Sequence, residues 1–132
     1  MSTAYEVLVL DDESIVCERL SDYLGKNGFS VETFTESPKA LARLAEKEFD
    51  VVITDLKMKG PNGLEVMHFV RNRAPRTQVI IITGYASMES AREAEFSGVF
   101  DFINKPFQME SLGALVKKAA KKAGKLKGRS DQ

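Results

Sequence analysis

The 132-residue chain has a single cysteine, Cys17, and a single histidine, His68. A lone cysteine has no internal disulfide partner, and no ligand-spaced Cys/His cluster exists, which argues against a structural zinc site. Cys17 therefore reads as a helix packing residue. His68 sits among Met67, Phe69 and Val70 with no partner group for catalysis, and reads as structural or solvent-facing. No apolar run approaches the roughly 20 residues a membrane helix needs. The opening MSTAYEV has neither the basic nor the long apolar segment of a secretory signal. A cytoplasmic chain with no membrane association is the expectation. No internal repeat of solenoid period is present either.

What is there fits one domain with a real core: 43% of the residues are hydrophobic. Charge is unevenly spread. Residues 1–116 carry 18 acidic and 12 basic residues, whereas residues 117–132 carry seven basic and one acidic. A basic end can serve as a nucleic-acid arm, but this one has no interleaved aromatics and no recognisable DNA-binding module. It reads as the solvated face of a last helix or the start of a linker, without direct nucleic-acid binding.

Apolar runs alternate with helix-patterned segments. YEVLVL (5–10), SVETFT (30–35), FDVVIT (49–54), QVIIIT (78–83) and DFIN (101–104) read as strands. The runs at 49–54 and 78–83 are apolar nearly throughout, as strands buried on both faces are. Between them lie helical patterns over 14–27, 37–48, 63–74 and 87–98, and a last one from about Gln108. Ser37 is the expected N-cap of the second helix, with Pro38 at its first position. Five β-α units predict a doubly wound parallel sheet with helices on both faces.

Ligands of open α/β sheets bind beyond the carboxyl ends of the strands, at a topological switch point. Asp11, Asp12 and Glu13 follow the first strand, Thr35 and Glu36 the second, Thr54 and Asp55 the third, Thr83 the fourth, and Asn104 and Lys105 the fifth. Carboxylates gathered on one rim repel each other and call for a cation, and a hard oxygen-binding ion such as magnesium suits them. Carboxylates, a hydroxyl and an ammonium finishing different strands on one edge are the equipment of phosphoryl transfer. Taken one at a time, DDE is an ordinary helix N-terminus, Asp55 an ordinary strand end and Phe102 ordinary strand core.

The motifs LVLDDE, VVITDLKMKGPNGLEV, VIIITGYA and FDFINKPF, in this order and spacing, resemble the receiver domain of bacterial two-component response regulators, over residues 5–124. The resemblance implies a flavodoxin-like (βα)5 fold of strand order 2-1-3-4-5, with residues 125–132 a basic tail or linker start. It implies that Asp55 accepts a phosphoryl group from a sensor histidine kinase or phosphotransfer protein. It further implies that Asp11, Asp12, Asp55 and the Lys57 carbonyl hold Mg²⁺, that Lys105 pairs with the phosphoryl group, and that Thr83 and Phe102 are the switch residues. Gly63 matches the glycine opening the third helix, and a cis peptide is expected between Lys105 and Pro106. Lys57 and Tyr85 stand where the family tunes phosphoryl lifetime, and a bulky Tyr85 implies slow self-dephosphorylation. The chain departs from the family at Lys59, where proline is usual; Pro61 follows two places later.

On this reading the domain is a signalling phosphoacceptor, not an enzyme with a separate substrate, and catalyses only its own phosphorylation and dephosphorylation. Its output domain or target would meet the helix over 87–98, the fifth strand and the last helix, where Met88, Arg92 and Glu95 are candidates, and phosphorylation could produce a homodimer. Three alternatives compete. A haloacid-dehalogenase phosphatase needs an Asp-x-Asp pattern after the first strand and a cap domain. A flavodoxin-like cofactor binder needs a glycine- and hydroxyl-rich loop where DDE would repel phosphate. A degenerate receiver would bind partners without phosphorylation, yet every required residue is present.

Overall fold

A computed structural model describes residues 4–84 and 98–127. Its strands are β1 (Glu6–Leu10), β2 (Ser30–Phe34), β3 (Val51–Asp55), β4 (Gln78–Thr83) and β5 (Asp101–Asn104). Its helices are α1 (Ser14–Lys26), α2 (Ser37–Glu46), α3 (Gly63–Arg73) and α4 (Met109–Leu126). The helix expected over 87–98 lies outside the described residues up to position 97, and with it Tyr85, Met88, Arg92 and Glu95.

All strand pairings are parallel, in the order β2-β1-β3-β4-β5. Period-2 alternation splits the strand residues between two cores. Val7, Val9, Val51, Ile53, Ile80 and Ile82 face α1 and α4, meeting Leu20, Leu24, Leu112 and Val116. Leu8, Leu10, Val52, Val79 and Ile81 face α2 and α3, meeting Ala40, Leu44, Met67 and Val70. β3 and β4 are buried at every position, which is why their sequences show no polar alternation.

Two local expectations are corrected. β3 starts at Val51, two residues later than the apolar run; Asp50 just before it keeps backbone bonds to both neighbours, to Glu6 O at 2.9 Å and from the Gln78 N–H at 3.0 Å, and spends its side chain on the amino edge of the sheet. Its Oδ2 accepts from the Glu6 N–H at 2.7 Å and its Oδ1 from Arg76 Nη1 at 2.7 Å. Ser37 is not the N-cap of α2. That position falls to Glu36, which makes no side-chain cap bond, and Ser37 is the first helical residue. Its hydroxyl instead donates to the Lys59 carbonyl at 3.3 Å. The start of α3 is capped conventionally: Asn62 Oδ1 accepts from the Glu65 N–H at 3.0 Å, and Glu65 reaches back to the Asn62 N–H.

The lysine-rich end is helical through Leu126. Lys117, Lys118, Lys121, Lys122 and Lys125 are exposed, while Val116, Ala119, Ala120 and Ala123 are buried. Small residues at the buried positions let α4 lie close to the sheet. Cys17 is buried in α1, and His68 is exposed on α3.

Candidate functional site at the carboxyl edge of the sheet

The strand order reverses between β1 and β3, and the register sets Leu10 beside Thr54. The residues leaving those strands, Asp11 and Asp12 from β1 and Asp55 from β3, therefore meet at the switch point. Each of the three can offer a carboxylate oxygen within 4.8 Å of the others. Asp11 is fully buried, Asp55 nearly so, and Asp12 exposed.

Lys105, just past β5, reaches across the edge. Its Nζ donates to Asp11 Oδ2 at 2.9 Å, to Asp55 Oδ2 at 3.1 Å and to Glu13 Oε1 at 3.1 Å. Its own N–H donates to the Thr83 carbonyl at 2.7 Å, tying it to the end of β4. The Lys105–Pro106 peptide is cis, as expected. The remaining oxygens are held by backbone: Asp11 Oδ1 by the Glu13 N–H at 2.8 Å, Asp55 Oδ1 by the Lys57 N–H at 3.3 Å.

The electrostatics are lopsided. Burial pushes the Asp11 carboxyl above its usual range and outweighs the lowering effect of Lys105. Burial also opposes charge on Lys105, but the hydrogen bonds it donates to three carboxylates win and hold its pKa above that of an ordinary lysine. Asp11, Glu13 and Asp55 thus share one ammonium, and Asp12 beside them has no ion pair among the described residues. A pocket of hard oxygen donors with surplus negative charge and a buried carboxylate that resists ionisation fits a divalent cation of the magnesium type.

Gly63 explains itself here. A Cβ at this position would stand 2.5 Å from the Asp55 carbonyl oxygen and 3.0 Å from Leu56 Cα. The Gly63 N–H donates to the Leu56 carbonyl at 2.9 Å, so α3 starts directly against the backbone that ends β3.

Of the residues anticipated from sequence, Asp11, Asp12, Asp55 and Lys105 come together, with Thr83 buried at the adjoining strand end. Phe102 is not in this cluster. It lies on β5 paired with Ile81, half-buried against the α2/α3 core. Two contacts were not anticipated. Glu13 stood on the expected rim, but nothing in its triplet told that it would take the third proton of Lys105. Ser37 looked like a cap because its tertiary partner, Lys59, is 22 residues away.

Fold and site together define a doubly wound α/β domain with an acidic, cation-seeking pocket at its switch point. The family model described as the response regulator receiver domain matches residues 7–117. The regulatory protein AtoC of Escherichia coli is 34% identical over 119 residues, which is 90% of this chain and 26% of that protein. A response regulator receiver domain from Clostridium thermocellum superposes with a TM-score of 0.86 at 30% identity, covering 92% of this chain and 98% of that one. The beryllofluoride-activated NtrC4 receiver domain, solved as a dimer, gives 0.84 at 30% identity, covering 89% and 98%. The chain belongs to the response regulator receiver domain family, the phosphoacceptor domains of two-component systems, in which phosphorylation and Mg²⁺ binding are general. It spans about a quarter of the length of the curated relatives it matches. Among the described residues no helix is long and apolar enough to cross a membrane.

Proposed function

We propose that Asp55 is the phosphoacceptor of this receiver. A carboxylate oxygen of Asp55 attacks the phosphorus of a phosphohistidine on a sensor kinase or phosphotransfer protein. The P–N bond breaks, the imidazole leaves, and an acyl phosphate forms on Asp55. The observation that carries this reading is the Lys105 ammonium, held 3.1 Å from Asp55 and 2.9 Å from fully buried Asp11. One cation already spans the nucleophile and its acidic neighbour, in a place where phosphoryl oxygens would arrive.

Asp11, Asp12, Asp55 and the Lys57 carbonyl are the proposed Mg²⁺ ligands. When bound, the ion supplies the positive charge that lets an anionic carboxylate approach an anionic phosphoryl group. Lys105 then moves its hydrogen bonds from carboxylate to phosphoryl oxygens. The Thr83 hydroxyl, buried at the end of β4, donates to the phosphoryl group, and half-buried Phe102 on β5 follows. This couples a local charge change to a two-state face. Self-catalysed phosphorylation and dephosphorylation belong to the same proposal, with slow hydrolysis expected from Tyr85.

We assign the receiver to residues 5–124 and the basic tail or linker start to 125–132, acting in the cytoplasm with an output domain or target. Dimer formation on phosphorylation is supported by the activated NtrC4 receiver, which is a dimer. The test is intact mass after incubation with a small-molecule phosphodonor. A Mg²⁺-dependent phosphoryl adduct on the wild type, absent from Asp55→Asn, is expected; an adduct that survives this substitution, or none at all, overturns the assignment.

A further inference from the structure

The loop from Leu56 to Asn62 carries the backbone that flanks Asp55. Its ends are fixed: the Leu56 N–H donates to Ile82 O at 3.0 Å, Gly63 N–H to Leu56 O at 2.9 Å, and the capping box holds Asn62. Between them, residues 58–61 take part in one hydrogen bond among the described residues, from Ser37 Oγ to the Lys59 carbonyl at 3.3 Å. Met58 adds an apolar contact to the core. Packing alone does little more, because an open cleft of about 550 Å³ separates the loop from the β2–α2 turn, with Thr35 and Glu36 on one side, Met58 and Lys59 on the other, and Asp12 in its lining. Gly60, next in line, has φ +76°, a conformation that offers no stiffness of its own.

Ser37 is 1% exposed, and its hydroxyl has no other partner among the described residues. Ser37 is the first helical residue, one past the capping position, so its hydroxyl is not the group that caps the helix. It donates to the Lys59 carbonyl of the loop.

We propose that Ser37 is a positioning residue for the cation site. Its bond to the Lys59 carbonyl holds the loop, and with it the Lys57 backbone, beside Asp11, Asp12 and Asp55. The inference rests on the Mg²⁺ site proposed above. Breaking one neutral hydrogen bond of this kind corresponds to a weakening of Mg²⁺ binding by about threefold to tenfold. The Lys59 N–H makes no hydrogen bond among the described residues, so proline there would stiffen the loop by fixing φ without losing one.

The experiment is Mg²⁺ titration by calorimetry on the wild type, Ser37→Ala, Ser37→Thr, and Ser37→Ala with Lys59→Pro. Amide hydrogen exchange over residues 57–62 is measured without Mg²⁺. Ser37→Ala is expected to weaken Mg²⁺ by about threefold or more and to speed exchange in the loop. Ser37→Thr keeps wild-type affinity, and the double variant recovers it. If Ser37→Ala unfolds but the double variant folds and binds, the proposal stands. If Ser37→Ala binds Mg²⁺ as the wild type does, or the double variant recovers nothing, the hydroxyl is only a packing feature. A wild type that binds no Mg²⁺ would instead remove the underlying site, a separate failure.

Discussion

Gly63→Ala adds one methyl group where the structure has the least room for it. The new Cβ would sit 2.5 Å from the Asp55 carbonyl oxygen, 3.2 Å from the Asp55 carbonyl carbon and 3.0 Å from Leu56 Cα. All three are backbone atoms, so no side chain can swing away. The backbone is itself pinned, because Leu56 donates to Ile82 O at 3.0 Å and accepts from the Gly63 N–H at 2.9 Å. Overpacking of this sort costs about 1–3 kcal/mol. Alanine's better helix propensity offsets at most about 1 kcal/mol, and less at the first helical residue. The net is a destabilisation of about 1–2 kcal/mol, read as a fall in Tm of about 3–10 °C. The displaced atoms belong to Asp55 itself, so the Mg²⁺-dependent adduct should form more slowly in the variant that still folds. Urea denaturation with the m-value checked separates stability from a change in compactness. A Gly63→Ala protein as stable as the wild type, with unchanged adduct formation, would refute the steric account. Gly113→Ala makes the contrast: its Cβ would meet Tyr23 Cε2 at 2.8 Å, but a ring edge can rotate away. That substitution should cost less than about 1 kcal/mol, helix propensity being in its favour.

Three further outcomes follow from the charges. Asp55→Asn should raise the stability of the metal-free domain, because repulsion from two carboxylates within 4.8 Å exceeds attraction to one ammonium at 3.1 Å at equal dielectric; the same variant should lose the rise in Tm that Mg²⁺ gives the wild type, and a less stable variant would contradict this sum. Lys105 has its folded pKa raised above the unfolded 10.5, so its stabilisation is complete below pH 10.5 and is lost as pH climbs toward the folded value. Denaturation between pH 8 and 11.5 should show this loss in the wild type and not in Lys105→Met, and parallel curves for the two would remove it. Asp50→Ala at the opposite edge leaves Arg76 and the Glu6 N–H without their buried acceptor, at a cost of about 2–4 kcal/mol, while Mg²⁺ affinity measured by calorimetry should stay as it was.

Much of the fold was legible because its signals are repetitive. β4 and β5 fall on their predicted residues, since fully apolar or sharply bounded runs leave little choice. The site was legible for a different reason: strand ends in a doubly wound sheet converge, so Asp11, Asp12, Asp55 and Lys105 could be placed together from topology alone. What escaped was decided by long-range competition. Asp50 follows an apolar Phe49 and precedes three more apolar residues, so the role of its carboxylate shows only once Arg76 and the Glu6 N–H are seen around it. Ser37 has the local chemistry of a cap, and only the fold brings a carbonyl from residue 59 within its reach.

The two ends of the sheet show that the fold does not force the imbalance at the site. At the amino end three acids are served by two cations within hydrogen-bond distance. Arg76 takes Asp50 at 2.7 Å and Glu48 at 2.9 Å with separate nitrogens, and Lys47 takes Glu6 at 2.5 Å. None of those three acids is left without a cation. At the carboxyl end Lys105 is divided among Asp11, Glu13 and Asp55, while Asp12 has no ion pair among the described residues. The strands are the same, and so is the cost of burying a carboxylate. A chain that can place two cations against three acids at one edge could have done so at the other. Leaving the second edge short of cations destabilises the domain as it stands, and the deficit is made good only by something that arrives from solution. That is the condition a receiver requires, because a pocket already neutralised by the chain's own side chains would have no use for a divalent ion and no vacancy in its hydrogen bonds for a phosphoryl group.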